Sequence, residues 1–595
     1  MTSTKLLRLA AAVALVVAAC SSSTATPAPA TGTPAPASSA PATSVIQTAA
    51  PSSAATPAPA TKNPNAGIVG GKLVIDNASG STWTCQFNPF NAAVNYLSIG
   101  FMYEPLIQVN TLKTNADGSN VTTPWLATAT SWNSDYTKLT ATIRDGVKWS
   151  DGEAFSANDV LYTFNAMKAD AGIDINALWD AHDGPLTDVE LAGTNQVVFT
   201  FKAAAQTYFY YVVDQTPIVA QHIYGKEDQK ALENFADKAP VGTGPYTMST
   251  CSQDNIKYLR NAAYWQSTAD KPVPQVAEVD YPAFLSNDPA NLLLSQGGAQ
   301  WGGQYVPNID SYYISKDSAH RHYWFPPTSN VTLFPNLKNA LLSNLAVRQA
   351  ISWSIDRASV SKKGESGYEP ASNQTGVVLP TFQSWYDQAS DTTAFDVAKA
   401  AAALQSAGFK KGSDGIWADA KGAKLKFTIK TVSGYTDWDA SLAVVKANLK
   451  AAGIDVTIAD EDSGALFDEL KSGKFELGYW AAAAGPLPYY ELRNDLFSGN
   501  IGSSNFEQFK DATVDDLLNK YASSNAADQM AAIKQIEAVM GNQVPIIPIT
   551  EGVDWYQYDT KDFGGWPTQD DPYCQPAPWN IPDNGMLLTR IYPTH

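Results

Sequence analysis

Few residues in this chain have the types and spacing that catalysis requires. Asp460-Glu461-Asp462 sets carboxylates side by side, and a carboxyl pair can act as acid and base in glycoside hydrolysis. The run follows the strand-like residues 454–458, however, and reads as a solvated loop. His320-Arg321-His322 has the alternation that puts two imidazoles on one strand face. A zinc site needs three or four donors, and no third is in view, so this stretch reads as solvated strand. The other histidines are His182, His222 and His595. No Gly-x-Ser-x-Gly elbow positions a nucleophile, and no Cys-x-x-Cys supports a redox or zinc site. Gly242-Thr-Gly-Pro-Tyr246 lacks the Lys-Ser/Thr of a phosphate loop, so its glycines serve backbone turns. The chain therefore reads as a binding protein, not an enzyme, with neither metal nor cofactor. A secreted glycan-active hydrolase working through a carboxylate pair is the competing class.

What the chain has in quantity is aromatic surface: 27 Tyr and 16 Trp. Most such rings pack cores or support turns. Two loops stand apart: Trp83-Thr-Cys-Gln-Phe87-Asn88-Pro-Phe90, and Gly485-Pro-Leu-Pro-Tyr489-Tyr490. Aromatic loops where lobes meet are hard to explain as core. Trp83, Phe87, Asn88, Trp301, Trp324, Trp480, Tyr489 and Tyr490 are therefore expected to line a space between lobes. Flat C–H faces and hydroxyls of a sugar suit Trp, Tyr, Asn and Gln, and a neutral peptide held by its backbone fits almost as well.

The elements that must carry these residues begin with a targeting segment. Residues 1–8 are short and basic, and residues 9–19 are an unbroken apolar run ending Val17-Ala18-Ala19-Cys20. A spanning helix needs about 20 apolar residues, so residues 1–19 read as a secretory signal. The Cys after two small residues resembles a bacterial lipobox, with Cys20 lipidated as the mature N-terminus. Residues 20–67 are nearly all Ser, Thr, Ala and Pro. They cannot bury enough apolar surface to offset their ordering entropy, and repeated Pro-Ala-Pro keeps them extended as a stalk. The globular body, 68–595, exceeds one comfortable core, so two or more lobes are expected. The acids behind the chain's formal charge of −18 are spread through that body, which makes nucleic acid and anionic membrane surfaces poor partners.

Within the body, residues 72–75, 139–143 and 197–201 alternate like strands. Ser156-Ala-Asn158-Asp159 offers an N-cap to a following amphipathic helix. From 397 to 458 the pattern switches to helices of ten or more residues, stopped at Gly408 and Gly453, alternating with strands at 425–429 and 454–458. That alternation predicts a parallel α/β sheet. The whole reads as two α/β lobes with the chain crossing between them more than once.

An ordered set of motifs carries a resemblance. They are Tyr103-Glu104-Pro105-Leu106; Leu126-Ala127 through Ser131-Trp132; Ile143-Arg144-Asp-Gly146-Val-Lys-Trp149-Ser-Asp151-Gly152 with Ala157-Asn-Asp159-Val160; Val241-Gly-Thr-Gly-Pro-Tyr246 with Asn261-Ala-Ala-Tyr264-Trp265; Val347-Arg348-Gln-Ala350 with Asp356-Arg357; and Gly473-Lys-Phe-Glu-Leu-Gly-Tyr-Trp480. In this order they resemble the solute-binding proteins of bacterial ABC importers, family 5, which take peptides and oligosaccharides. Arg348 and Asp356 within them read as packing residues, and Trp149 to Gly152 as a hairpin.

The resemblance implies a two-lobed, periplasmic-binding-protein-like type II fold with an extra subdomain in the first lobe. Its expected divisions are lobe I at 68–109 and 239–330, the inserted subdomain at 110–238, lobe II at 331–548, and a return to lobe I at 549–595. The protein would be a monomer, lipid-anchored on the extracytoplasmic face of the cell membrane, closing by a hinge on its cargo and delivering it to ABC permease subunits. Because the tail returns to lobe I, a disulfide between Cys85 and Cys574 is expected, with Cys251 free. Peptide-binding members carry an acid shortly after the Gly-Tyr-Trp480 position, where it pairs with a terminal ammonium. Here residues 481–488 hold none, and burying an ammonium without a counter-charge is costly. Cargo binding is thus expected to be indifferent to a free amino terminus.

Overall fold

The computed structural model describes residues 67–595 except 78–81, 92–93, 95, 116–118, 175, 177, 183, 270, 285–286, 434–435, 462 and 483–484. The signal segment, Cys20, nearly all of the stalk and Asp462 lie outside the described residues.

Three sheets organise the body. In the first, strand Gly70–Asp76 runs parallel to both Val276–Pro282 and Trp301–Gly302. The hairpin Tyr246–Cys251 and Asn255–Arg260 extends one side, while Gln557–Asp559 and Arg321–Tyr323 complete the other, giving seven strands. Leu73, Ile75, Val279 and Tyr281 are fully buried in its core. The second sheet is four-stranded and antiparallel, from Ala127–Trp132, Lys138–Ile143, Gln196–Phe201 and Leu186–Leu191. Helix Ala157–Ala169 covers it, with Phe164 edge-on to Phe199 at 4.8 Å. That helix starts on a capping box: Asp159 accepts from the Ser156 backbone amide, and the Ser156 hydroxyl accepts from the Asn158 amide. Two orphan donors of the first turn are thereby satisfied.

The third sheet has the order Asp455–Glu461, Lys426–Val432, Leu477–Ala481, Pro327–Pro335, Ile547–Val553. Its first three strands are parallel, as the alternation predicts. The last two pairings are antiparallel, because Pro327–Pro335 runs against both of its neighbours, Leu477–Ala481 and Ile547–Val553. The reason is topological. These two strands are where the chain enters and leaves this lobe, so they must point in opposite directions. The crossings lie side by side, with the Trp324 amide donating to Tyr556 O (3.1 Å) and the Asp554 amide to Pro326 O (2.9 Å).

Arg348 and Arg357 brace the second lobe. Arg348 donates to the carbonyls of Val544, Gln543, Leu342 and Ser343. Arg357 donates to Pro548 O and Ser352 O. Asp356 caps helix Arg357–Lys363 by accepting from the Ser359 amide. These partners make both residues structural.

The disulfide corrects the sequence-based expectation. Cys85 is bonded to Cys251, with Cα atoms 5.8 Å apart, and Cys574 is the free, buried thiol. The Trp83 amide donates to Gln253 O at 2.9 Å, which lays the first aromatic loop along the Tyr246–Cys251 hairpin and brings the two sulfurs together. The tail does pack on the first lobe, but elsewhere. Gln575 N donates to Asp583 and Asn110 Nδ2 to Pro572 O, so Cys574 is held beside helix Asp583–Arg590.

Candidate ligand-binding cleft

Two groups of contacts join the lobes. Beside the crossings, Phe325 and Trp555 pack edge-on at 4.9 Å. Tyr305, from the loop after Trp301–Gly302, meets Trp555 at 5.3 Å. Tyr368, from the loop after helix Arg357–Lys363, meets Phe325 at 5.4 Å and Tyr305 at 6.0 Å. The hydroxyls of Tyr305 and Ser366 lie 3.1 Å apart, and Tyr368 Oη accepts from the Ile309 amide at 2.9 Å. Rings from both lobes thus share one junction.

The second group is built on helix Pro488–Leu496, which starts with Pro at a position where its missing N–H costs nothing. Tyr490 reaches the other lobe, its hydroxyl donating to Thr207 O at 2.8 Å. Its ring lies edge-on to Tyr210 and Tyr211, both at 5.9 Å. Gln529 Nε2 adds a donor to Gln206 Oε1 at 3.0 Å. Tyr489 stacks on Tyr521 at 4.2 Å.

The expected lining residues divide accordingly. Tyr489, Tyr490 and Trp480 sit on the second lobe, Trp480 against Trp438 and Phe467. Trp324 is half-buried on a crossing. The other four are engaged inside the first lobe. Trp83 donates from Nε1 to Tyr281 O, and Asn88 from Nδ2 to Leu232 O and Phe235 O. Trp301 donates from Nε1 to Pro576 O, and Phe87 is fully buried. Junction residues that sequence reasoning missed are Tyr305, Phe325, Tyr368, Trp555, Tyr210 and Tyr211. The run Tyr208-Phe-Tyr-Tyr211 was a usable signal; the others stand singly and gave none.

Electrostatically the junction is acidic. Glu365 is fully buried, with one oxygen accepting from the Ser441 hydroxyl. Burial, then the neighbouring Asp437 charge, pushes its carboxyl up to about 8. Glu369 is raised for the same reason, burial first and the Glu365 charge next, and accepts from the Thr550 hydroxyl. In the first lobe Glu104 is also buried and raised to about 7, against donors from Trp125, Tyr264 and Trp265. Those donors make Glu104 the centre of a closed internal network beside a small recess of about 30 Å³.

The residues weighed for catalysis do not converge. Asp460 and Glu461 end strand Asp455–Glu461 rather than forming a loop, and Glu461 pairs with Lys430 at 2.8 Å. His320 pairs with Asp317 at 3.0 Å, and His322 stacks on Tyr558. Among the described residues no three His, Cys, Asp or Glu side chains could hold a metal.

Two lobes joined by paired crossings, with aromatic rings from both at the junction, define a solute-binding architecture. Residues 121–504 match the family model of bacterial extracellular solute-binding proteins, family 5, and the chain belongs to that family. It is a solute-binding protein of the ABC peptide-importer class, whose members work outside the cytoplasm. The oligopeptide-binding protein AppA of Bacillus subtilis is 27% identical over 414 residues, covering 67% of this chain and 72% of its own. The nickel-binding periplasmic protein of Escherichia coli is 21% identical over 421 residues, covering 68% and 76%. The fold is similar to that of the periplasmic oligopeptide-binding protein of Thermotoga maritima in its mannohexaose-bound structure. That match has a TM-score of 0.73 and 24% identity, covering 88% of this chain and 99% of the other. Among the described residues no helix is long and apolar enough to cross a membrane.

Proposed function

We propose that this chain is the lipid-anchored receptor of an ABC importer. It would be held to the extracytoplasmic face through Cys20 and the 20–67 stalk, act as a monomer, and pass cargo captured between its lobes to the permease subunits. Residues 110–238 would form the subdomain inserted into lobe I. The observation that carries the reading is the aromatic junction of Tyr305, Phe325, Tyr368 and Trp555, to which both lobes contribute. Rings in such a place can cover the flat faces of a ligand when the lobes close. The Tyr490 hydroxyl, donating to Thr207 O, supplies a second contact between the lobes.

An oligopeptide is the first cargo class, supported by the name and coverage of AppA. An oligosaccharide is the second, supported by the aromatic lining and by the mannohexaose in the Thermotoga protein. Native mass spectrometry of protein purified from its own cells tests the reading, followed by identification of the retained molecule. A retained peptide or oligosaccharide supports it, and hydrolysis of cello-oligosaccharides by the pure body would replace it with the enzyme class. Cys20→Ser should move the protein from the membrane fraction to the medium or to uncleaved precursor.

A further inference from the structure

The chain carries a formal charge of −18, yet the fold gathers lysines on one face of the second lobe. Lys410 and Lys411 open a short hairpin whose other strand is Trp417–Ala418, and Ala418 bridges in turn to Lys424. Lys426 starts strand Lys426–Val432, beside Asp455 of the neighbouring parallel strand. Lys446 and Lys450 stand one turn apart on helix Thr436–Ala452, whose end lies against the same hairpin. There the Trp417 amide donates to Gly453 O at 3.0 Å, and its indole Nε1 to Ala452 O at 2.9 Å. Gly453 has a φ of +93°, and a Cβ on it would stand 2.8 Å from Lys411 Cε. Hairpin, strand start and helix end are thereby packed into one surface.

The charge balance of this surface is the reverse of the chain's. With Lys421 it presents seven exposed lysines against three acids, Asp414, Asp419 and Asp455. Asp414 pairs with Lys424 at 2.7 Å, and Asp455 with Lys426 at 3.2 Å and Lys450 at 3.8 Å. Asp419 is turned into its own loop, accepting from the amides of Lys421 and Ala423. Lys410, Lys411, Lys421 and Lys446 form no ion pair among the described residues. The surface also lies at the pole of its lobe farthest from the cleft. In the third sheet Pro327 pairs with Val553 at the crossings, Val331 with Ala481, and Pro335 with Leu477. Leu477 thus starts its strand at the far end, and Lys426 and Asp455 start theirs at that end too, because the three strands are parallel.

An array of unneutralised ammonium groups complements a surface of closely spaced phosphates, and each lysine near such a surface adds to the hold. Beyond about 8 Å at physiological salt that attraction is screened, so acids on the other faces of the chain do not oppose it. Net charge alone makes an anionic membrane a poor partner; this one face is the exception. We propose that it docks the second lobe on the anionic phospholipid of the membrane to which the chain is tethered. The proposal takes its setting from the reading of an anchored receptor and adds how the body rests there. Docking by this pole leaves the cleft uncovered, so cargo can enter while the body lies on the bilayer. A hold made only of exposed, screened charges is also weak enough to release when the lobes must meet the permease.

The test is co-sedimentation of the anchor-free body with vesicles of mixed phosphatidylglycerol and phosphatidylcholine, and with vesicles of phosphatidylcholine alone. Partition onto the anionic vesicles should be greater by about ten-fold or more at physiological salt. That margin should vanish at about 1 M salt, where the screening length is about 3 Å. Lys410→Glu/Lys421→Glu/Lys446→Glu should abolish it. Lys226→Glu/Lys230→Glu/Lys238→Glu, an equal charge change at exposed lysines far along the chain, should keep it. Equal partition of the natural protein onto both kinds of vesicle overturns the proposal without using a variant, so misfolding of a variant cannot protect it. A margin that survives the first substitution, or is lost equally in the second, also overturns it. So does capture of soluble polyphosphate with the anionic vesicles left unbound, which would make a free phosphate polymer the partner. Because the body used carries no anchor, the result stands apart from the fractionation of Cys20→Ser, which tests the tether alone.

Discussion

Removing the Cys85–Cys251 bridge gives a prediction whose size follows from the chain. The two residues are 166 positions apart, so the bridge closes a loop that holds the whole four-stranded sheet and its covering helix. In the chain-entropy account, cross-linking over that length lowers the entropy of the unfolded state by the equivalent of about 5 kcal/mol at 25 °C. Local packing argues for a further cost, because the bridge pins the loop whose Trp83 bonds Tyr281 O. The assay is urea unfolding of the anchor-free body, natural protein against Cys85→Ala/Cys251→Ala, with the slope checked for equality so that midpoints convert to free energy. A loss of about 3–5 kcal/mol is expected, the lower figure allowing for residual structure in the unfolded chain. Thiol titration should find one cysteine in the body, Cys574, reactive only after unfolding. A midpoint unchanged by the double substitution, or a peptide map joining Cys85 to Cys574, would refute the reasoning.

Three further outcomes are expected. Arg357→Ala should cost about 3 kcal/mol, because it strips the buried carbonyls of Pro548 and Ser352 of their donor; urea unfolding checks it, and a loss below about 1 kcal/mol contradicts it. Tyr490→Phe removes the bond to Thr207 O, worth about 1 kcal/mol net or roughly five-fold in capture affinity; unchanged affinity together with unchanged solution scattering would show that the contact does not help hold the lobes shut. The body should be more stable at pH 5 than at pH 8. Burial raises Glu104, Glu537, Glu551, Asp554 and Asp583 to about 7 and Glu365 to about 8, so the folded chain keeps protons that the unfolded chain gives up. That stability is full below the ordinary carboxylate range and is lost as pH rises through about 7 to 8. Thermal midpoints across this range test it, and a higher midpoint at pH 8 would reverse the sign.

Local patterns were legible where the physics is local. The Ser156 cap, the Lys138–Ile143 alternation and the helices stopped by Gly408 and Gly453 are each set within a few residues of themselves. In the third sheet the alternation over 397–458 gave the parallel strands but not the antiparallel Pro327–Pro335, because strand periodicity carries no direction and direction came from where the chain enters the lobe. Aromatic residues were harder still, since a ring in a loop is core or cleft depending on what arrives from elsewhere. Trp83 is claimed by Tyr281, 198 positions on, and Trp301 by Pro576, 275 positions on. Tyr490, from an equally aromatic loop, meets Thr207 at 283 positions and so belongs to the junction.

The same distinction governs charge. Along the chain, residues 481–488 beside the aromatic motif hold no counter-charge. What the fold assembles instead is a field from Glu365, Glu369 and Asp437, brought together by a sharp turn, an edge pairing and a helix start. None of these three is unusual in its own sequence neighbourhood. Glu365 and Glu369 are buried and Asp437 half-buried, an arrangement that only the folded chain creates. A missing acid in a linear motif therefore does not argue against a cationic cargo, because pairing an ammonium depends on which carboxylates share its low-dielectric space and not on their order in the chain.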